Sequence, residues 1–438
     1  MSDDDGPGER ALRQVLEAQD DARDQVAFRN SAEGRLRVIA VVSQFWPLIG
    51  GAENQARRLA TELVRQGLEL EVWTARLDRR WPRFEVLDGV TVRRLGSAWS
   101  LWGRLRRLAR YSFLLSLLVR LLGHRRRYDL VHVHQVLDAA AVAALAGRLA
   151  RRPVIARVSS TGSTSDLVVS GRGLGITRFL ARRLLTRIVA VNAQAAAECR
   201  SWGYRAERIV CIPNGVTVSP VSPSRGHDQE PEVLYVGGLR REKHVDLILE
   251  AWRAANCPGR LTIVGDGPEG ERLRRLATAA DPRVRFLGQV PDARSFFERS
   301  DIFVLASDAE GMSNALLEAM ASGCACLATW VGGNTDALGP ECDEPPLGGF
   351  AQGAAGLLVR VGDVPGLAAA LSALASSWEL RRSLGEAARR RCLARFRVEQ
   401  VAGAYRLLYG TLVADGSAPR DPGLEPPTSG RAQDRLPR

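Results

Sequence analysis

Two series of short, β-branched runs, separated by one segment rich in Pro, Ser and charge, leave this chain few folds to choose from. The first series is RVIAVVSQF, LELEVW, VTVRRL, LVHVHQ, VIARVS, RIVAVN and IVCIPN; the second is VLYVGGL, LTIVGDG, VRFLGQV, IFVLAS, CACLAT and GLLVRV. Most are apolar at consecutive rather than alternating positions, which marks strands covered on both faces, and helix-like Ala/Leu/Arg-rich stretches lie between most of them. Such alternation predicts parallel sheets wrapped by helices. At 438 residues the chain exceeds what one core usually supports, so each series is read as its own doubly wound, Rossmann-like α/β domain. The expected boundaries are a disordered extension over 1–35, a first domain over 36–216, a linker over 217–232 and a second domain over 233–394. A helix over 395–412 packs back toward the first domain, and a disordered tail covers 413–438. Two such domains face each other across a central cleft, where the carboxyl ends of both sheets bind ligands.

Charge narrows the partners. The formal net charge is +12, with 61 basic residues of which one, Lys243, is a lysine. That balance suits anionic partners: phosphates, nucleic acid or an acidic membrane. No interleaved aromatic-and-basic motif supports nucleic acid, so none is expected as a partner. The seven cysteines show no C-x-x-C pair, and the N-terminus is acidic rather than signal-like, so a cytoplasmic protein is expected. The longest apolar run, FLLSLLVRLL, is too short to span a bilayer and contains Arg120.

In LYVGGLRREKHVDLILEAW a strand ends at Gly237-Gly238, a basic loop follows and a helix begins near Val245. A strand–glycine–helix junction presents backbone N–H groups and a positive helix end to a phosphate, and Arg240, Arg241 and Lys243 add charge there. Lysine is a compact point charge on a thin stem, able to enter where a planar guanidinium does not fit. In SDAEGMSNALLEAMASG, Glu310 falls on a loop after a strand and Glu318 one turn into the next helix. An ionised carboxylate accepts two strong hydrogen bonds from vicinal sugar hydroxyls, and Gly311 permits close backbone approach.

From Arg35 to Leu412 the chain resembles the family 4 retaining glycosyltransferases of the GT-B fold. The resemblance rests on FWPLIGGAE, the LYVGGLRREKHVDLILEAW segment, IVGDGPEGERLRRLA with VRFLGQV, and EGMSNALLEAMASG followed by ATWVGGNTD. It implies that Lys243 binds the donor diphosphate and, with Glu310, carries the chemistry; that Glu318 binds the ribose; and that Glu310 contacts the donor sugar. It further implies that Gly50 and Gly51 close over the site from the first domain. Gly238, Arg240, Arg241, Gly265, Val290, Gly311, Met312, Ser313 and Asn314 complete the donor-binding set. The implied reaction is retaining transfer, without metal or cofactor, from a nucleotide diphosphate sugar, taken as a UDP-sugar, to a saccharide or lipid-linked acceptor in polysaccharide or glycoconjugate synthesis. The alternatives are a GT-B sugar-nucleotide epimerase and an arginine-rich scaffold without catalysis. A pyridoxal-dependent phosphorylase needs a Schiff-base lysine, and Lys243 sits in the wrong place for one.

The chain departs from the family at several points. Gly238 stands where arginine is usual, so Arg240 or Arg241 must supply the second cation; His244 replaces a glycine; Asp336 replaces a glutamate; and Ser159 stands where many members carry a histidine. His134 is expected to be polar at the cleft edge, near the acceptor with Ser159, and His132 to be packed; the pair lacks a third metal ligand. From Gly89 to Tyr128 there are ten arginines and no acid. Within 99–127, Leu101, Leu105, Leu108 and Ser112 at helical spacing, with Arg104, Arg106, Arg107 and Arg110 around the other faces and Trp99 and Trp102 at the start, predict either a helix covering the sheet or one lying on an anionic membrane at its inner face.

Overall fold

The computed structural model describes residues 35–47, 50–97, 105–162, 165, 167, 175–219, 230–278, 281–339 and 343–417. The expected N-terminal extension, most of the linker, the tail beyond 417, and Trp99, Leu101, Trp102 and Arg104 lie outside them.

The first sheet contains β1 (Arg37–Val42), β2 (Glu69–Ala75), β3 (Phe84–Leu87), β4 (Val90–Leu95), β5 (Leu130–Val133), β6 (Val154–Val158), β7 (Arg187–Ala190) and β8 (Ile209–Cys211). Their order is β3-β4-β2-β1-β5-β6-β7-β8. All pairs are parallel except β3 with β4. Every residue of β5 and β6 is buried, as strands between two helical layers require. One layer contains α1 (Gly51–Arg65); the other contains α2 (Leu105–Gly123), α3 (Asp138–Ala150) and α4 (Gly175–Leu184); α5 (Ala193–Ser201) follows β7.

The second sheet is built from β9 (Glu232–Val236), β10 (Arg260–Val264), β11 (Val284–Gly288), β12 (Ile302–Leu305), β13 (Ala325–Thr329), β14 (Ala351–Gly353) and β15 (Gly356–Val359), in the order β11-β10-β9-β12-β13-β15-β14. Its helices are α6 (Val245–Ala255), α7 (Gly270–Thr278), α8 (Arg294–Arg299), α9 (Asn314–Ala321), α10 (Gly332–Leu338), α11 (Val364–Ser376) and α12 (Trp378–Arg395). The expected two parallel-sheet α/β domains are therefore present. The two short antiparallel strands, β3 and β14, had no place in the strand reading, because FEVL and AQG are too brief for a periodic signal.

The last helix, α13 (Val398–Ser417), crosses back onto the first sheet, where Val401, Tyr405, Tyr409 and Leu412 share a core with Val38, Ala40, Leu59 and Leu63. It runs five residues beyond the expected end at 412. In α2 the buried side is Phe113, Leu117 and Leu121, so Leu108, expected on an apolar face, points outward.

Candidate active site

Each strand carboxyl end that faces the cleft delivers one part of the site. After β9 the chain passes Gly237-Gly238 into a 3₁₀ turn, Arg241–Lys243, and α6 begins behind it. After β12 the loop carries Glu310, and Ser313 caps α9 by accepting a hydrogen bond from the Leu316 N–H. The Lys243 Nζ donates to Glu310 Oε1 at 2.5 Å, and the Ser307 hydroxyl donates to the same oxygen at 2.8 Å. The lysine and the loop glutamate, 67 residues apart in sequence, are thus one ion pair beyond the carboxyl ends of β9 and β12.

The loop backbone is fixed from the first domain. The Thr161 hydroxyl donates to the Glu310 carbonyl at 2.9 Å, and Asn192 donates to the Gly311 carbonyl. A Cβ at position 311 would lie 2.3 Å from the Ser159 carbonyl oxygen, so only glycine lets the two loops meet. Ser159 itself donates to the His134 carbonyl at 3.0 Å and forms the opposite wall. Gly265, with φ of +137°, lies so close to Gly237 that a Cβ would reach its carbonyl at 1.9 Å, which draws the β10 end against the Gly237-Gly238 turn. Val290, just beyond β11, is partly buried at the sheet edge.

Arg240 folds back over Gly238, its Nε 3.6 Å from where a Cβ would stand. The glycine thereby leaves room for a cation that comes from two residues further on. His244 takes φ of +46°, the left-handed conformation that a glycine adopts at no cost, and its Nε2 lies 2.6 Å from Asp308 Oδ1.

Arg58, Asn214 and Arg157 had not been singled out from the sequence. Arg58 of α1 reaches across the cleft, its Nη2 2.5 Å from Glu318 Oε1. Asn314 donates to the Gly51 carbonyl at 2.6 Å, which brings the first-domain glycine loop to the start of α9. Asn214 donates to the Met312 carbonyl at 3.0 Å and to Asn314 Oδ1 at 2.8 Å, while its own Oδ1 accepts from the buried Arg157. The spacing of Gly51, Gln55 and Arg58 along one helix face, and the PNG turn that ends IVCIPNG, were the available signals.

His134 is not at the cleft edge. Its ring is buried and stacked on His132 at 4.2 Å, and His132 stacks in turn on Tyr405 and is hydrogen-bonded to the Tyr409 hydroxyl at 2.7 Å. Burial, and then the nearby Arg157 charge, push the His134 imidazole down to about 3; burial chiefly holds His132 well below its ordinary range. Both rings are neutral. Among the described residues no group of three or more His, Cys, Asp or Glu is placed to hold a metal ion.

Residues 230–377 match the family described as "Glycosyl transferases group 1", and residues 50–215 match the "Glycosyl transferase 4-like domain". The chain belongs to the family 4 glycosyltransferases of the GT-B fold. It is 24% identical over 389 residues to the N-acetyl-alpha-D-glucosaminyl L-malate synthase of Bacillus anthracis, covering 84% of this chain and 96% of that protein. It is 31% identical over 265 residues to the phosphatidyl-myo-inositol mannosyltransferase of Mycolicibacterium smegmatis, covering 58% and 64%. Anabaena HepE, solved in complex with UDP and glucose, superposes with a TM-score of 0.65 at 21% identity over 86% of this chain and all of that one.

Proposed function

We propose that this glycosyltransferase moves a sugar from a UDP-sugar to a saccharide or lipid-linked acceptor, with retention of anomeric configuration and without a metal ion, in polysaccharide or glycoconjugate synthesis. The observation that carries the reading is the Lys243–Glu310 pair at the carboxyl ends of β9 and β12. A donor diphosphate entering there takes Lys243 as its counter-ion and frees the Glu310 carboxylate to accept from sugar hydroxyls. As the bond to the sugar breaks, charge grows on the leaving diphosphate, and Lys243, Arg240 and the first-turn amides of α9 stabilise it. Glu318 holds the ribose hydroxyls, sharing its carboxylate with Arg58. The relatives support a nucleotide-sugar donor, HepE being bound to UDP and glucose, but their names carry acceptors as different as L-malate and phosphatidyl-myo-inositol.

The test is a thermal-shift screen of UDP- and GDP-sugars followed by turnover with and without EDTA, the product anomer being read by NMR. A ligand at about 100 times its Kd adds about 2.7 kcal/mol of stability. Stabilisation by UDP-sugars, EDTA-resistant turnover and an unchanged anomer are expected. A GDP preference, loss of turnover in EDTA, or release of an epimerised nucleotide sugar each overturns the corresponding part.

A further inference from the structure

The outward side of α2 carries Leu108, Tyr111, Leu115 and Val119, which are 51%, 60%, 64% and 60% exposed. Steps of three, four and four residues set them in one row along the helix, opposite the buried Phe113, Leu117 and Leu121. A helix that only covers a sheet presents polar side chains outward, so this row requires an explanation. The neighbouring helices extend it, with Leu149 at the end of α3 at 62% exposure and Phe179 of α4 at 49%. All three helices lie on the same face of the first sheet.

Among the described residues of these three helices, charge is almost all positive. In sequence, α2 and α4 contain no acidic residue and α3 contains only Asp138, which is ion-paired with Arg110. Against it stand the exposed Arg125, Arg126 and Arg127 after α2, Arg148 and Arg151 around the end of α3, and Arg178 of α4. Asp138 opens α3 just beyond the carboxyl end of β5, so its pairing with Arg110 sets the start of the row at the cleft rim.

We infer that this face docks the enzyme on an anionic lipid bilayer, the α2 row entering the interface and the arginines meeting the headgroups. This goes beyond the glycosyl-transfer reading and does not rest on it. A polyanion such as RNA would engage the arginines but leave four apolar side chains with nothing to bury them, whereas a bilayer satisfies both at once. Lipid-facing leucine, valine and tyrosine bounded by arginine is the arrangement in which apolar burial and headgroup attraction add.

The experiment is co-sedimentation of the full chain with vesicles of phosphatidylcholine alone or mixed with phosphatidylglycerol. Wild type is expected to bind the mixed vesicles and to be weakened, not released, by salt, because salt screens the arginines but not the apolar row. Leu115→Glu with Val119→Glu should lower partitioning by about tenfold or more. Arg126→Gln with Arg127→Gln should lower it about fivefold per arginine and flatten the salt dependence. Both variants alter exposed side chains, so melting temperature and turnover on a water-soluble acceptor should stay at wild-type values, which separates this result from any failure of the transfer reading. Absence of wild-type binding to mixed vesicles, equal binding of the Leu115/Val119 variant, or binding to an RNA oligomer in place of vesicles overturns the inference.

Discussion

Lys243 and Glu310 satisfy each other at 2.5 Å, and in the proposed reading a donor separates them, so each side chain has a different loss to show when it is removed. Lys243→Arg keeps the charge but must fit a planar guanidinium where Nζ lies among Glu310 and the loop held by Thr161. We expect turnover to fall about a hundredfold or more, close to the effect of Lys243→Ala, on the scale of losing one transition-state electrostatic donor. Near-normal turnover of the arginine variant, with an unchanged melt, would mean that charge alone suffices. Glu318→Ala should weaken UDP binding, and Glu310→Ala should chiefly lower turnover, since in the proposed reading one carboxylate meets the ribose and the other the transferring sugar. Calorimetry with UDP decides this, and equal losses of UDP affinity would remove the division of labour. These residues were legible in the sequence because each is of an unusual type for its surroundings: one lysine among arginines, one acid on a loop beside a glycine and one in an apolar helix. Arg58 and Asn214 were not. An arginine in a chain full of arginines carries no signal, and its partner Glu318 is 260 positions away.

The loop–helix junction at His244 tests whether a local backbone rule survives substitution. The residue before α6 must adopt φ of +46° for Lys243 to face the cleft, and a side chain there costs about 1 kcal/mol relative to glycine. The His244–Asp308 contact at 2.6 Å offsets part of that cost. His244→Ala keeps the strain and loses the contact, while His244→Gly loses the contact and relieves the strain. The alanine variant should therefore be about 1 kcal/mol less stable than the glycine variant in denaturant unfolding, and an alanine variant of equal or greater stability would contradict the backbone argument. At this scale the parallel strands and the helix starts at Val245 and Asn314 could be read in advance, since continuous apolar runs and glycine junctions are local signals. The outward face of α2 could not. Its leucines repeat on nearly every side of the helix, and only contact with the sheet decides that Phe113, Leu117 and Leu121 go inward.

At the scale of the molecule, the chain is closed by α13 returning to the first domain, and the bond that fastens it is buried between groups sensitive to acid. Tyr409 is hydrogen-bonded to His132, Tyr405 stacks on the same ring, and His134 stacks behind it, with Arg157 close by as a fixed positive charge. The unfolded chain protonates both histidines near 6.5, but the folded chain holds both neutral, His134 down to about 3. Below pH 6.5 the unfolded state thus binds more protons than the folded one, and stability must fall as pH falls. For His134 the slope approaches about 1.4 kcal/mol per pH unit once the unfolded histidine is mostly protonated, and His132 adds to the fall in the same direction. The carboxylates held low by arginine, such as Asp129 beside Arg37, add their loss only below about pH 4, where the same groups in the unfolded chain begin to protonate. Asp336, raised by burial, opposes the trend. Melting temperature should accordingly be level from pH 8 to 7 and drop steeply toward pH 5, with α13 and the α1 face it covers losing amide protection first. The imidazole resonances of His132 and His134 should remain those of neutral rings at pH 5 while the protein is still folded. A flat melting profile across this window, or a ring that titrates near 6.5 in the folded protein, would show that the buried pair does not set the acid limit.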